Sequence, residues 1–183
     1  MGKPSAAGHE LMTKPRQRPG DWLPLATMEL FLIRHAIAED GEDDDARPLS
    51  NKGVKRFKDT VRALGRLDVR FDRILHSPKV RAVQTADLLE HLLDGKEMQQ
   101  TPLLAISPAQ GLLELMVGEN VAVVGHEPHL STLLAWLTTG EATLGPAFDL
   151  KKGSVARLEG NPTPSGMKLM ALWPPATMRR IDR

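Results

Sequence analysis

Three short segments carry side chains suited to phosphoryl chemistry: Arg34-His35, Ser77 with Arg81, and His126. Arg34 and Arg81 supply forked, permanently charged donors that match the oxygens of a phosphoryl dianion. A neutral imidazole at His35 can attack phosphorus through one ring nitrogen, provided the other is held protonated by an acceptor. His126 can stand opposite as a donor to the phosphoryl oxygens. Ser77-Pro78 has the form of a helix start, a cap followed by proline, whose oriented N–H groups would add to an anion site. An Arg-His pair alone is an ordinary loop edge; it is the joint placement of the three segments that carries weight.

That placement follows from the elements around them. Met28 to Arg34 is apolar on both faces, as expected of a central strand covered by helices on each side. Arg73 to His76 and Val121 to Gly125 read as two further strands. Ser50 can cap a helix with Val54, Phe57, Val61 and Leu64 inward. A second helix is expected from Ser77-Pro78 to about Leu93, and Ser107-Pro108 repeats the start signal before Leu112, Leu113, Met116 and Val117. After Pro128 a further helix places Leu130, Leu133, Leu134 and Leu137 inward, and Ser154–Leu158 with Met167–Trp173 reads as a hairpin. Strands alternating with helices indicate a layered α/β domain with a mainly parallel sheet. Each candidate residue follows the carboxyl end of a strand, the edge at which such sheets place ligands.

The chain of 183 residues suits one core. Its 24 Lys and Arg against 23 Asp and Glu leave no overall field toward nucleic acid or an anionic membrane. The absence of cysteine excludes a thiol nucleophile, a disulfide framework and a zinc–thiolate site, and points to a reducing, cytoplasmic setting. Residues 1–27 hold four prolines in a polar stretch without apolar period, and are expected to form a flexible extension ahead of a domain over 28–183. Met28 could equally be a start. The apolar runs are too short or too interrupted to span a bilayer.

At these residues the chain resembles the histidine phosphatase superfamily, also called phosphoglycerate mutase-like, and within it the small phosphohistidine phosphatases of SixA type. The matching pieces are Leu32-Ile33-Arg34-His35-Ala36, Arg47-Pro48-Leu49-Ser50 with Gly53, Ser77-Pro78-Lys79-Val80-Arg81-Ala82 with Gln84-Thr85-Ala86, and Val123-Val124-Gly125-His126. The resemblance spans Met28 to about Trp173 and implies a three-layer α/β/α fold. It makes His35 the phosphorylated nucleophile, Arg34 and Arg81 the phosphate clamp, and His126 the second pocket histidine, with Ser77 beside the phosphate. It implies no metal and no organic cofactor. The substrate it implies is a phosphohistidine-bearing protein, such as a phosphotransfer domain.

Two departures matter. Ala36 stands where the commonest motif of the superfamily has glycine. Many relatives also carry a Glu ahead of the third helix to protonate the leaving oxygen, whereas Thr101 to Gln110 contains no carboxylate. An imidazole, with a pKa of about 6.5, leaves phosphorus more readily than an alkoxide, so the gap favours an N–P substrate. Glu127 is the fallback acid, because larger acid phosphatase relatives place a carboxylate just after the second histidine.

Three functions therefore stand: a phosphatase acting on protein phosphohistidine, a small-molecule phosphomonoesterase using Glu127, and a phospholigand-binding module without turnover. The acidic run Glu39, Asp40, Glu42, Asp43, Asp44 and Asp45 is expected to be solvated and mobile, with no metal. His126 and His129 lack a third zinc ligand nearby. The basic face of the Ser50 helix reads as a solvated face, not a nucleic-acid platform.

Overall fold

Leu30, Phe31, Leu32 and Ile33 are fully buried in strand β1 (Met28–Arg34), which is covered on both faces as its apolar run requires. The computed structural model describes residues 27–182; the extension expected at 1–27 lies outside them apart from Thr27. Five further strands follow: β2 (Phe71–His76), β3 (Leu93–Gln100), β4 (Asn120–Gly125), β5 (Val155–Gly160) and β6 (Met167–Trp173). They form one sheet in the order β3-β2-β4-β1-β5-β6. The first four in that order run parallel, and the β5–β6 hairpin is added antiparallel to β1.

The helices are α1 (Asn51–Arg66), α2 (Val80–Leu89), the single turn α3 (Gln110–Leu113), α4 (His129–Thr139) and α5 (Pro175–Ile181). Strand alternation sorts β1 into two cores. Leu30 and Leu32 pack with Leu130, Leu133, Leu134 and Leu137 of α4. Phe31 and Ile33 pack with Phe57 and Leu64 of α1, Ala82 and Ala86 of α2, and Met178 of α5. The result is the three-layer α/β/α arrangement. Among the described residues no helix is long and apolar enough to cross a membrane.

Helix α1 begins as its sequence demands, with the Ser50 hydroxyl accepting the Gly53 N–H at 3.0 Å. Ser50 also donates to the carbonyl of Ile37 through its backbone N–H (3.0 Å) and its hydroxyl (3.2 Å). A Cβ at Gly53 would lie 2.0 Å from that same Ile37 oxygen, so only glycine lets the helix start close over the loop that follows β1.

Several expectations are corrected. The helix expected from Ser77-Pro78 starts at Val80 with Lys79 at its cap, and the Val80 N–H is spent on the carbonyl of Asp45 at 2.9 Å. It ends at Leu89 rather than near Leu93, and after one 3-10 turn the chain becomes β3. β3 is an edge strand whose mixed polar sequence carries no alternating signal. The helix expected after Ser107-Pro108 is only α3, and Val117 is exposed. Helix α5 has no signal beyond Pro175 at its first turn; Met178 anchors it against α1.

Candidate active site

Neighbouring strands β2, β4 and β1 end side by side, with Arg34 opposite Gly125 and His76 opposite Val124. The sheet ladder runs one step past each strand: the His35 N–H donates to the Gly125 carbonyl at 3.0 Å, and the Ser77 N–H to the Val124 carbonyl at 3.1 Å. Those two bonds carry His35, Ser77 and His126 to one edge as an extension of regular pairing. The imidazoles of His35 and His126 stand with centroids 5.0 Å apart.

His35 is buried and held at both ring nitrogens. Its Nδ1 lies 2.7 Å from the Ala36 carbonyl, an acceptor only, so Nδ1 carries the proton. Nε2 is left with a lone pair, which accepts from Arg81 Nε at 3.2 Å. Burial pushes the imidazole down to about 4, with the neighbouring Arg81 and Arg34 cations acting in the same direction against the Ala36 bond. At neutral pH the ring is therefore uncharged and nucleophilic in type. The loop is pinned from behind: the Ala36 N–H donates to Thr85 Oγ1 at 3.1 Å, and Thr85 Oγ1 donates to the Arg81 carbonyl at 2.6 Å. Gln84 of the same helix accepts the Leu49 N–H at 2.7 Å. Gln84 and Thr85 thus fix the loop after His35 to the helix that carries Arg81.

Arg34 donates through Nη1 to the Leu150 carbonyl at 2.7 Å, while its Nε is buried without a partner. Arg81 is almost wholly buried, and both its terminal nitrogens are engaged by Asp44, through the carbonyl oxygen and through Oδ2 at 3.0 Å. Asp44 also meets Lys79 at 2.5 Å and Arg47 at 2.6 Å. Those partners, Lys79 first and Arg81 next, hold the Asp44 carboxyl well below the usual carboxylate range. The acidic run is thus not a wholly solvated loop. Asp44 folds back onto three cations of the cleft, Lys79, Arg81 and Arg47.

His126 Nε2 lies 2.8 Å from Ser77 Oγ, and its Nδ1 is buried without a partner. Burial, then the neighbouring His35 and Arg81, push its imidazole down to about 3, so it too is neutral. Ser77 itself has no exposed surface. Its hydroxyl is the partner of His126 Nε2, and Ser77 is not among the residues lining the cleft. Glu127 lines the cleft, accepting from Ser131 Oγ at 2.5 Å through Oε2, while Oε1 is buried without a partner.

Together Arg34, His35, Arg81, His126 and Glu127 line an open cleft of about 260 Å³. Arg47, Lys79 and Lys152 line it as well; Arg47 and Lys79 lie within the matching segments without a role assigned to them, and nothing in its local sequence marks Lys152 as more than a surface cation. Ala105 is what the segment Thr101–Gln110 contributes to the wall. The Arg34 and Arg81 guanidinium groups, flanking cations and a neutral imidazole whose Nε2 lone pair can exchange its Arg81 bond for phosphorus can bind a phosphoryl dianion and attack it.

The model of the histidine phosphatase superfamily (branch 1) matches residues 30–105. An uncharacterised protein of Picosynechococcus is 33% identical over 141 residues, which cover 72% of this chain and 84% of that protein. Phosphohistidine phosphatase SixA of Escherichia coli is 29% identical over 123 residues, covering 62% of this chain and 76% of its own length. In fold, the structure of the protein histidine phosphatase SixA complexed with tungstate superposes with a TM-score of 0.69 at 24% identity, over 82% of this chain and 99% of that one.

Proposed function

Since the chain belongs to the histidine phosphatase superfamily, we propose that it is a phosphatase acting through a phosphohistidine at His35, with phosphohistidine in proteins as its substrate. Arg34 and Arg81 hold the phosphoryl oxygens, and His126 stands on the opposite side as a neutral donor. The His35 Nε2 lone pair forms the new N–P bond as the N–P bond of the substrate breaks, and the departing imidazole, already protonated on its other ring nitrogen, keeps the electron pair of that bond and leaves neutral. Water then attacks phosphorus and releases phosphate, returning the lone pair to Nε2.

The observation that carries the choice of substrate is the wall at Ala105. Among the described residues the carboxylates lining the cleft are Asp44 and Glu127. Asp44 is spoken for by three cations and stays ionised, so it is no proton donor. An imidazole leaving group needs the least help of this kind. One observation favours a second reading: the unpartnered Oε1 of Glu127 lies where an acid for an oxygen leaving group could serve, which would make the protein a phosphomonoesterase.

The test compares a histidine-phosphorylated phosphotransfer domain, p-nitrophenyl phosphate and glycerol phosphate on wild type and Glu127→Gln. Phosphohistidine and the activated aryl ester should far outpace glycerol phosphate in kcat/KM, and Glu127→Gln should leave phosphohistidine turnover within about threefold, as suits a leaving group that needs no acid. Preferred turnover of glycerol phosphate, abolished in Glu127→Gln, would establish the phosphomonoesterase instead.

A further inference from the structure

Beside the phosphate cleft lies a second, larger hollow of about 450 Å³ that the reaction above does not use. Arg34 and Lys152 line both, so the two adjoin at the clamp. Five cations line the hollow, Arg34, Arg56, Lys151, Lys152 and Arg179, and no carboxylate does. Its floor is apolar, formed by Phe57 with Pro174 and Pro175. Thr60, also on its lining, is buried with a hydroxyl that has no hydrogen-bond partner.

Charge is segregated across the clamp. On one side Arg47, Lys79 and Arg81 are neutralised by Asp44, with Asp45 also meeting Lys79. On the other, none of the five cations pairs with a carboxylate among the described residues. The same division runs along α1. Arg62 and Arg66 near its end pair with Asp182, whereas exposed Lys52, Lys55 and Arg56 in its first turns have no such partner. A protein ordinarily intersperses its surface charges, so a one-signed field over an apolar floor at the mouth of an active site is a recognition feature.

We propose that this hollow docks an acidic, apolar-studded segment of the phosphohistidine-bearing protein, next to the phosphorylated histidine. The inference rests on the protein-phosphohistidine reading. An apolar side chain of the partner covers Phe57 and the prolines, and its carboxylates meet Arg56, Lys151 and Arg179. A free metabolite would fill the hollow but leave Lys52 and Lys55 unmet, because these lie on α1 outside it; an extended acidic surface meets both. The chain's own first 26 residues suit it poorly, since Lys3, Lys14, Arg16 and Arg18 outnumber Glu10 and Asp21.

Three synthetic peptides with a central phosphohistidine test this, their flanks being Glu/Leu, Ser/Gly or Lys/Leu. Wild type should turn over the Glu/Leu peptide with kcat/KM at least about tenfold above the Ser/Gly one, mainly through KM and weakening with salt, as screened charge recognition requires. In the triple variant Arg56→Glu, Lys151→Glu, Arg179→Glu this preference should vanish, with any loss on p-nitrophenyl phosphate about tenfold smaller than that on the Glu/Leu peptide. Ala176→Trp, which fills the mouth without changing charge, should remove the advantage of the Glu/Leu peptide over a fourth one with Glu/Ser flanks. The same peptides with unphosphorylated histidine, labelled and followed by anisotropy on His35→Ala protein, read the hollow alone. Acidic-flank binding there without phosphohistidine turnover would overturn the substrate reading and keep the hollow. Equal turnover of the three flanks, or a preference surviving in the triple variant, would overturn the docking proposal. So would displacement by ADP irrespective of Leu, or self-association of wild type lost in the triple variant, which would assign the hollow to a small anion or a second copy.

Discussion

Arg81 donates through Nε to Nε2 of His35 across 3.2 Å, while Nδ1 of the same ring faces the Ala36 carbonyl. A guanidinium that is nearly buried thus selects the tautomer that keeps its lone pair on Nε2, and depresses the basicity of the ring it orients. The fork matters as much as the charge, because Nε serves the imidazole while the terminal nitrogens are left for an anion. Arg81→Lys keeps the charge and loses this division. Steady-state kinetics on phosphohistidine peptide should show kcat/KM reduced by about 100-fold or more, and similarly for Arg34→Lys. Wild-type rates in either lysine variant would remove that arginine from the clamp.

Removing the nucleophile should separate binding from turnover. His35→Ala leaves Arg34 and Arg81 in place, so inorganic phosphate should still bind by calorimetry while turnover falls by at least about 10³-fold. Retained turnover would exclude the covalent route.

The two cleft histidines should resist protonation. Burial holds His35 down to about 4 and His126 down to about 3, so histidine NMR at pH 5.5 should find both rings neutral, where an ordinary imidazole is mostly charged. The consequence for stability follows from linkage. Between about pH 6.5 and 4 the unfolded chain binds protons that the folded rings refuse, so these groups cost no stability above pH 6.5 and lower it progressively as pH falls toward 4. Denaturant midpoints across that range should fall less steeply with acid in His126→Phe than in wild type.

Asp44 occupies the donors of Arg81 that a phosphoryl group needs. Substrate must compete with this carboxylate for Nη2, and the carboxylate is half-exposed and so free to swing out. Asp44→Asn removes the competing charge and keeps a hydrogen-bonding group, so inhibition by inorganic phosphate should tighten by about threefold to tenfold, the effect of about 1 kcal/mol at a largely solvated pair. Weaker inhibition would instead make Asp44 a residue that positions Arg81.

The start of α1 tests how the fold supports the site. A Cβ at Gly53 would meet the Ile37 carbonyl at 2.0 Å, and that carbonyl accepts both bonds from Ser50. Gly53→Ala should therefore cost about 2 kcal/mol or more of stability by denaturant titration, as overpacking against backbone does. Activity should fall with it, since the displaced loop is the one that follows His35.

Much of this was legible in residue order, because it depends on neighbours along the chain. The apolar run of β1, the cap at Ser50, the inward leucines of α4 and the hairpin all follow from local periodicity and capping. So does the placing of Arg34, His35 and His126 at strand ends, since each strand stops where its apolar run stops. What local order could not convey is pairing between distant groups. β3 is a strand because β2 offers it an edge, although its own residues show no alternation. α5 holds because Met178 finds a core built by other elements, among them β1, α1 and α2. Asp44 in an acidic run looks solvated until folding sets Arg81, Lys79 and Arg47 around it. The contact between Ser77 Oγ and His126 Nε2 likewise exists only because β2 and β4 end side by side. The unpaired cations of Arg56, Lys151 and Arg179, separate in sequence, form one field only because α1, the loop before β5 and α5 share a hollow. Residue types determined which chemistry is available; the through-space electrostatics and packing that decide which group meets which arise only when the sheet closes.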